Sequence, residues 1–286
     1  MRRAAWFGAL ALLLAVCACR GDEAPFAQPT AVVHEPGEDV YLVAGSQPGA
    51  DGAAAGYLAV VRPDGVVVDR AWLAHGQRGV ELQAPRGLAV AGAVVWVADG
   101  SFLRRFACRT GAVLEAIAVP GAAVLHDVAV APDGVAYCCG LRLGGGADGL
   151  GAAVWRVGAA GAVEVVAQGP DLGNPQALCA TAAGLYLASA DGGFRLLDGK
   201  GHATLLAKVE AGPLVGLARL PGREGQPPSW FACSAGEHGL YRFDLQGGAV
   251  PLPRSLPSPG RCAVDARRGR LLVPLQGAGR LEVLAP

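Results

Sequence analysis

Five histidines are the first candidates for chemistry in this sequence: His34, His75, His126, His202 and His238. No two stand four residues apart and none has zinc-type spacing from a cysteine, so a helix-borne or finger-type zinc site has no ligand set. No Cys-x-x-Cys-His run offers covalent haem attachment. Gly144-Gly145-Gly146-Ala147-Asp148-Gly149 matches a dinucleotide fingerprint by letter. It leads into Ala153-Val154-Trp155-Arg156-Val157, a strand pattern, whereas pyrophosphate binding needs a helix N-terminus. Ser234 lacks the glycine frame of a strained nucleophile turn. What remains is a scattered polar set, Arg86, His126, Asp127, Gln176 and Arg261, together with six cysteines beyond the N-terminal region. Scattered residues act together only if the fold gathers them.

The composition restricts which elements can do so. Of 286 residues, 52% are hydrophobic and 17% charged, with 43 Gly and 20 Pro. Disorder is excluded by the apolar fraction, and a helical bundle by the glycine and proline content. Twenty-four basic residues balance 24 acidic ones, which leaves no basic field for nucleic acid. A phrase of short apolar strands repeats along the chain. First strands begin near 31, 87, 127, 177, 216 and 261, as in Gly87-Leu88-Ala89-Val90 and Asp127-Val128-Ala129-Val130. Second strands end in small residues, as in Val95-Trp96-Val97-Ala98 and Leu185-Tyr186-Leu187-Ala188. The period of about 46 residues is that of a four-stranded propeller blade. The pattern predicts an all-β, six-bladed β-propeller of four-stranded antiparallel blades over residues 30–286. The last blade shows three strands, and Asp22 to Gln28 is expected to supply its missing outer strand and close the ring.

Leu103-Arg104-Arg105-Phe106, Thr110-Gly111, Val119-Pro120-Gly121 and His126-Asp127-Val128-Ala129-Val130-Ala131-Pro132-Asp133-Gly134 give this pattern a family likeness. The chain resembles the gluconolactonase and senescence-marker-like (SMP-30/SGL) propellers and their NHL-type relatives over roughly residues 30–286. The resemblance implies the six-bladed architecture but not a single function, because the scaffold hosts hydrolases, binders and assembly proteins. Catalytic members hold a divalent metal at the channel mouth through a Glu and an Asn and Asp from separate blades. Carried over by position, the Glu falls near Pro29 or Thr30, the Asn on Gln176 and the Asp on Val215, while a further channel Asn becomes His126. A hard cation needs converging charged oxygens, and valine supplies none. No cofactor is therefore expected. The alternative is a divergent metal-dependent lactonase-type hydrolase with a divalent cation such as Ca2+ on Asn174, Gln176 and Asp127.

In a propeller the residues at the start of each first strand ring the axis. These are Arg86, His126, Asp127, Gln176, Val215 and Arg261. Arg86 and Arg261 are expected to make half of the rim cationic and to anchor a small anionic or polyhydroxylated ligand. The plainer alternative pairs Arg86 with Asp127 or another local carboxylate. Two Gly-rich segments, Ser46 to Gly56 and Leu141 to Gly151, read as long loops above that mouth. A protein partner docked across a propeller face is a further reading.

The cysteines follow the repeat. Cys138 and Cys233 read as equivalent second-strand positions of blades three and five, with Cys179 and Cys262 in the first strands of the blades that follow. Bridges of Cys138 or Cys139 with Cys179, and of Cys233 with Cys262, are the suggested pairings. Reduced cysteines standing in for Ala or Val are the alternative, and Cys108 has no assigned partner.

The N-terminus carries an address. Arg2 and Arg3 precede an apolar run from Ala4 to Ala18, too short for the about 20 residues that span a bilayer. Val16-Cys17-Ala18-Cys19 resembles a bacterial lipobox, with Cys19 the better lipid acceptor because Ala18 precedes it. This divides the chain into a signal peptide (1–18), an anchor and linker (19–29) and the propeller (30–286). It predicts an exported protein lipid-anchored to the cell envelope, on the outer membrane if the host has two membranes. Ordinary signal cleavage with two incidental cysteines is the alternative.

Overall fold

The structure, a computed structural model, describes residues 24–49, 52–145, 149–158, 161–210, 212–222, 225–237 and 239–286. The signal segment and Cys19 lie outside the described residues. The repeated phrase builds six antiparallel sheets, each with its strands in chain order. Blade one contains β1 (Pro29–Glu35), β2 (Val40–Pro48), β3 (Ala54–Val61) and β4 (Val67–Ala74). Blade two contains β5 (Pro85–Ala91), β6 (Val94–Asp99), β7 (Phe102–Ala107) and β8 (Val113–Ala118). Blade three contains β9 (Ala122–Val130), β10 (Ala136–Leu143), β11 (Leu150–Val157) and β12 (Val163–Gln168). A 3-10 turn at Pro170–Leu172 leads to blade four, with β13 (Pro175–Thr181), β14 (Gly184–Ser189), β15 (Gly193–Leu197) and β16 (Ala203–Lys208). Blade five contains β17 (Leu214–Leu220), β18 (Ser229–Ser234), β19 (Gly239–Phe243) and β20 (Ala249–Leu252). Blade six contains β21 (Ala263–Asp265), β22 (Arg270–Leu275) and β23 (Arg280–Leu284). Each first strand contacts the first strand of the next blade, and β1 contacts β21, so the sheets form a closed ring.

Strand alternation explains why the ring holds. Successive side chains point to opposite sheet faces, so every blade is apolar on both sides and must be covered by two neighbours. Val43 packs between blades one and six, and its neighbour Ala44 between blades one and two. Six apolar clusters fill the six junctions. The bulkiest lies between blades four and five, where Trp230 meets Tyr186 at 4.2 Å and Phe194 at 5.4 Å between ring centroids.

Two local expectations change. Residues 25–28 form bends, not a strand, while Asp22 and Glu23 of the expected strand lie outside the described residues, and blade six has three strands among the described residues. The segment does dock on that blade: the Phe26 amide donates to the Gly279 carbonyl (2.9 Å), and the Phe26 ring is buried between blades one and six. The two Gly-rich segments are mostly ladder. Pairing continues to Pro48↔Ala54 in blade one and Leu143↔Leu150 in blade three, so two tall hairpins stand on either side of blade two.

The ring closes on a polar clasp. The Tyr41 hydroxyl of blade one donates to Asp265 Oδ2 of blade six (2.8 Å). Arg268 joins the same Asp265 (2.9 Å) to Asp39 of blade one.

Candidate functional site

In an antiparallel blade the first strand begins where the second ends and the third begins. The tall hairpins and the first-strand starts therefore share one face of the ring. At that face the ladder carries a bulge in the same place in five blades. The register skips one residue between Pro29 and Ala31, Pro85 and Gly87, Leu125 and Asp127, Pro175 and Ala177, and Leu214 and Gly216. The extra residues are Thr30, Arg86, His126, Gln176 and Val215. A bulge releases its residue from the pleat and re-aims the side chain: Thr30 donates to the Pro85 carbonyl of blade two, and His126 meets the Pro175 carbonyl of blade four. Four of these five are positions to which the family resemblance carried channel residues, three of them metal ligands.

Blade six has the same insertion: Pro259↔Leu275 and Ala263↔Leu272 advance four residues on one strand against three on the other. Arg261 bridges Ala31, the residue just past the blade-one bulge, and its amide donates to the Thr30 carbonyl (2.9 Å). Arg261 therefore occupies the post-bulge position held by Asp127 in blade three, half a turn around the ring. Its Nε reaches across to the Gln176 carbonyl of blade four (3.2 Å).

The side chains around the axis hold one another in place. Asp127 Oδ2 accepts the Leu178 amide (2.9 Å), and His126 Nδ1 lies 2.9 Å from the Pro175 carbonyl. A carbonyl only accepts, so Nδ1 carries the proton and Nε2 presents a lone pair. Asp127 and His126 are 6% and 5% exposed. Burial raises the Asp127 carboxyl to about 6, against the opposing pull of Arg261 and the Leu178 and Val128 amides. Burial lowers His126 to about 4, and the charges of Arg261 and Arg86 push the same way while the Pro175 bond resists. Arg261 is also lowered, by burial first and by the repulsion of Arg86, with Asp127 and Cys139 opposing. Arg86 is exposed, yet near enough to act on both. At pH 7 the cluster thus combines two guanidinium cations, one carboxylate and a neutral imidazole, a surplus of one positive charge. Space is tight beside it: a Cβ on Gly87 would stand 2.4 Å from Asp127 Oδ1 and 2.5 Å from its Cα.

The gathered set differs from the expected rim in two respects. Arg261 is buried and turned toward blade four, so Arg86 is the exposed cation of the pair. The cation that acts on Asp127 is Arg261, not Arg86. The donors do not fit a hard cation. Val215 offers no oxygen, Asp127 Oδ2 is engaged by Leu178, and the Asn174 side-chain oxygen faces Gln176 Nε2 at 3.3 Å. Among the described residues no three His, Cys, Asp or Glu side chains cluster as a metal site. The Pro175 carbonyl and Leu178 amide, which position His126 and Asp127, left no trace in the sequence because every residue has such groups. A separate groove of about 620 Å³ lies on the opposite face between blades three and four. Its one guanidinium, Arg156, is already paired with Glu164 at 2.7 Å, and Asp133 and Asp198 make the rest of its charge acidic.

The cysteines are free thiols in the structure. Cys139, not Cys138, is the equivalent of Cys233, since each pairs with the residue just past its bulge. Cys138 faces blade two and Cys139 faces blade four. Cys179 packs on the far side of blade four, against blade five, so neither Cys138 nor Cys139 is brought to it. The residue that faces Cys139 is Leu178, one step away. Cys233 and Cys262 do share one junction.

No protein-family model and no curated protein matches this sequence. Solved structures do match its fold. A nutrient binding protein from Bacteroides thetaiotaomicron aligns at 8% identity and TM-score 0.66, over 90% of this chain and 69% of that one. A gluconolactonase from Xanthomonas campestris aligns at 17% and 0.59, over 92% and 97%. A virginiamycin B lyase from Staphylococcus aureus aligns at 10% and 0.59, over 92% and 96%. At these identities the likeness establishes the six-bladed propeller and nothing finer.

Proposed function

We propose that this propeller is a non-catalytic receptor for a small anionic, hydroxyl-bearing molecule, bound at the axial mouth. The observation that carries this reading is the surplus positive charge of the Arg86, Arg261, Asp127 and His126 cluster. Arg86 supplies the exposed bidentate anchor, and neutral His126 and Gln176 supply polar partners for hydroxyl groups. Arg261 acts from below, as a buried charge that orients the carbonyl of Gln176. A hydrolase working through a bound divalent cation is disfavoured by the same cluster, because two guanidinium groups repel the ion and Val215 replaces a charged ligand. Gluconate, which is both anionic and hydroxyl-rich, is the probe. It should raise the melting temperature of the wild-type protein and leave Arg86→Ala, an exposed substitution, unmoved. Chelator-sensitive hydrolysis of gluconolactone by the wild type would favour the hydrolase instead.

The receptor is exported and tethered through lipid on Cys19. Arg2, Arg3, the apolar run to Ala18 and the Cys19 that follows support this. Cys19→Ser should move the protein from the membrane fraction to the soluble one. Retention in the membrane fraction would refute lipidation at that residue.

A further inference from the structure

We infer that Cys233 and Cys262 form a disulfide that staples blade five to blade six. Cys233 on β18 pairs directly with Gly216 on β17, and residues opposite one another in an antiparallel ladder point to the same face. That face looks onto blade six, where Cys233 and Cys262 share a cluster with Leu271 and Val273. Gly216 is what makes room. A Cβ there would stand 2.8 Å from the Cys262 amide nitrogen and 3.1 Å from its Sγ. The Cys262 sulfur therefore occupies space that any other residue at 216 would fill, in the junction it shares with the Cys233 thiol. Equivalent places elsewhere hold no such pair. Gly87 and Ala98 face Val128, Asp127 and Cys139 face Leu178, and Ala177 and Ala188 face Leu217.

The oxidant is a low-molecular-weight disulfide, the chemistry of an oxidising compartment. Each thiol gives up its proton and the pair gives up two electrons. The S–S bond of the oxidant breaks to two thiols as the Cys233–Cys262 bond forms, through a mixed disulfide. Both side chains are buried, 0% and 7% exposed, so exchange accompanies the docking of blade six during folding. The bridge closes a loop of about 30 residues and should raise the melting temperature by on the order of 10 °C. It also fixes the backbone next to Arg261, and it rests on the proposed export, which supplies the oxidant, but not on what the axial mouth binds.

The test is refolding of the full chain in dithiothreitol or in a mixture of reduced and oxidised glutathione, followed by alkylation and non-reducing peptide mapping. The expected map joins the peptides of Cys233 and Cys262 and leaves Cys108, Cys138, Cys139 and Cys179 alkylated. The oxidised protein should melt about 10 °C above the reduced one, an increment that Cys179→Ala keeps and Cys262→Ala loses. Should Cys262→Ala not fold, the wild-type map decides by itself. Alkylation of both Cys233 and Cys262 after oxidative refolding, or a bridge from either to another cysteine, overturns the proposal.

Discussion

Replacing Asp127 with Asn should make the protein more stable at pH 7.5, by about 2–3 kcal/mol, the worth of a carboxyl raised about two pH units. In the folded chain this group titrates near 6 because it is buried, while in the unfolded chain it titrates near 3.8. A raised acid favours the folded state below 3.8, and that contribution is lost as the pH climbs through 6. His126 behaves oppositely. Its lowered value, about 4, favours the folded state above its unfolded value of 6.5, and that contribution is lost as the pH falls toward 4. The two trends nearly cancel between pH 4 and 6.5 in the wild type. Asp127→Asn should therefore unmask a stability that rises with pH over that window, and its advantage over wild type should vanish near pH 4. Denaturant midpoints at five or six pH values would show both effects. A variant less stable than wild type at pH 7.5 would mean that Arg261 relies on the ionised carboxylate more than burial opposes it. The cost of keeping Asp127 ionised has a functional counterpart, because without it the mouth would hold two unbalanced guanidinium groups.

The repeat was readable because each blade must bury both of its faces, which imposes the same alternation of apolar and small residues six times. Phrase alignment also found the bulge residues Thr30, His126, Gln176 and Val215. A proline or leucine just before and a small residue just after mark most of these positions. Register finer than that was not readable. Cys138 and Cys139 are adjacent, and only the ladder shows which of them faces blade four. The same uncertainty of one residue misplaced Arg261 on the rim, where the structure puts it one step past the bulge and underneath. Glycine misled at Ser46 to Gly56 and Leu141 to Gly151, because the same residues serve both loops and ladders. The strong shifts of Asp127 and His126 come from burial, which depends on neighbours brought in from other blades. The closure clasp is the extreme case, since Tyr41 and Asp265 lie 224 residues apart and neither has a local motif.

That clasp carries the second large effect. Asp265 is fully buried and accepts from the Tyr41 hydroxyl (2.8 Å), Arg268 Nη1 (2.9 Å) and the Arg268 amide (3.2 Å), with His34 3.6 Å away. Burial alone would raise its carboxyl, but Arg268, Tyr41 and His34 outweigh that and hold it below the usual range. Asp265→Ala strips all of these partners at once and leaves a tyrosine hydroxyl and part of a guanidinium without acceptors. Losing one member of such a buried set costs about 3–5 kcal/mol, or on the order of 10 °C in melting temperature for a chain of this size. Asp265→Asn keeps an oxygen for Tyr41 and should lose about half as much. The loss falls at the junction where the ring closes on a blade of three strands among the described residues, so it should appear first as opening of that blade. Since β21 carries Asp265 and follows directly on Arg261 and Cys262, opening there should also speed alkylation of Cys262 in reduced, native protein. Cys138, deep between blades two and three, should react no faster than in wild type. Equal acceleration at both sites would show that the variant loosens the whole ring and that closure does not rest on this carboxylate.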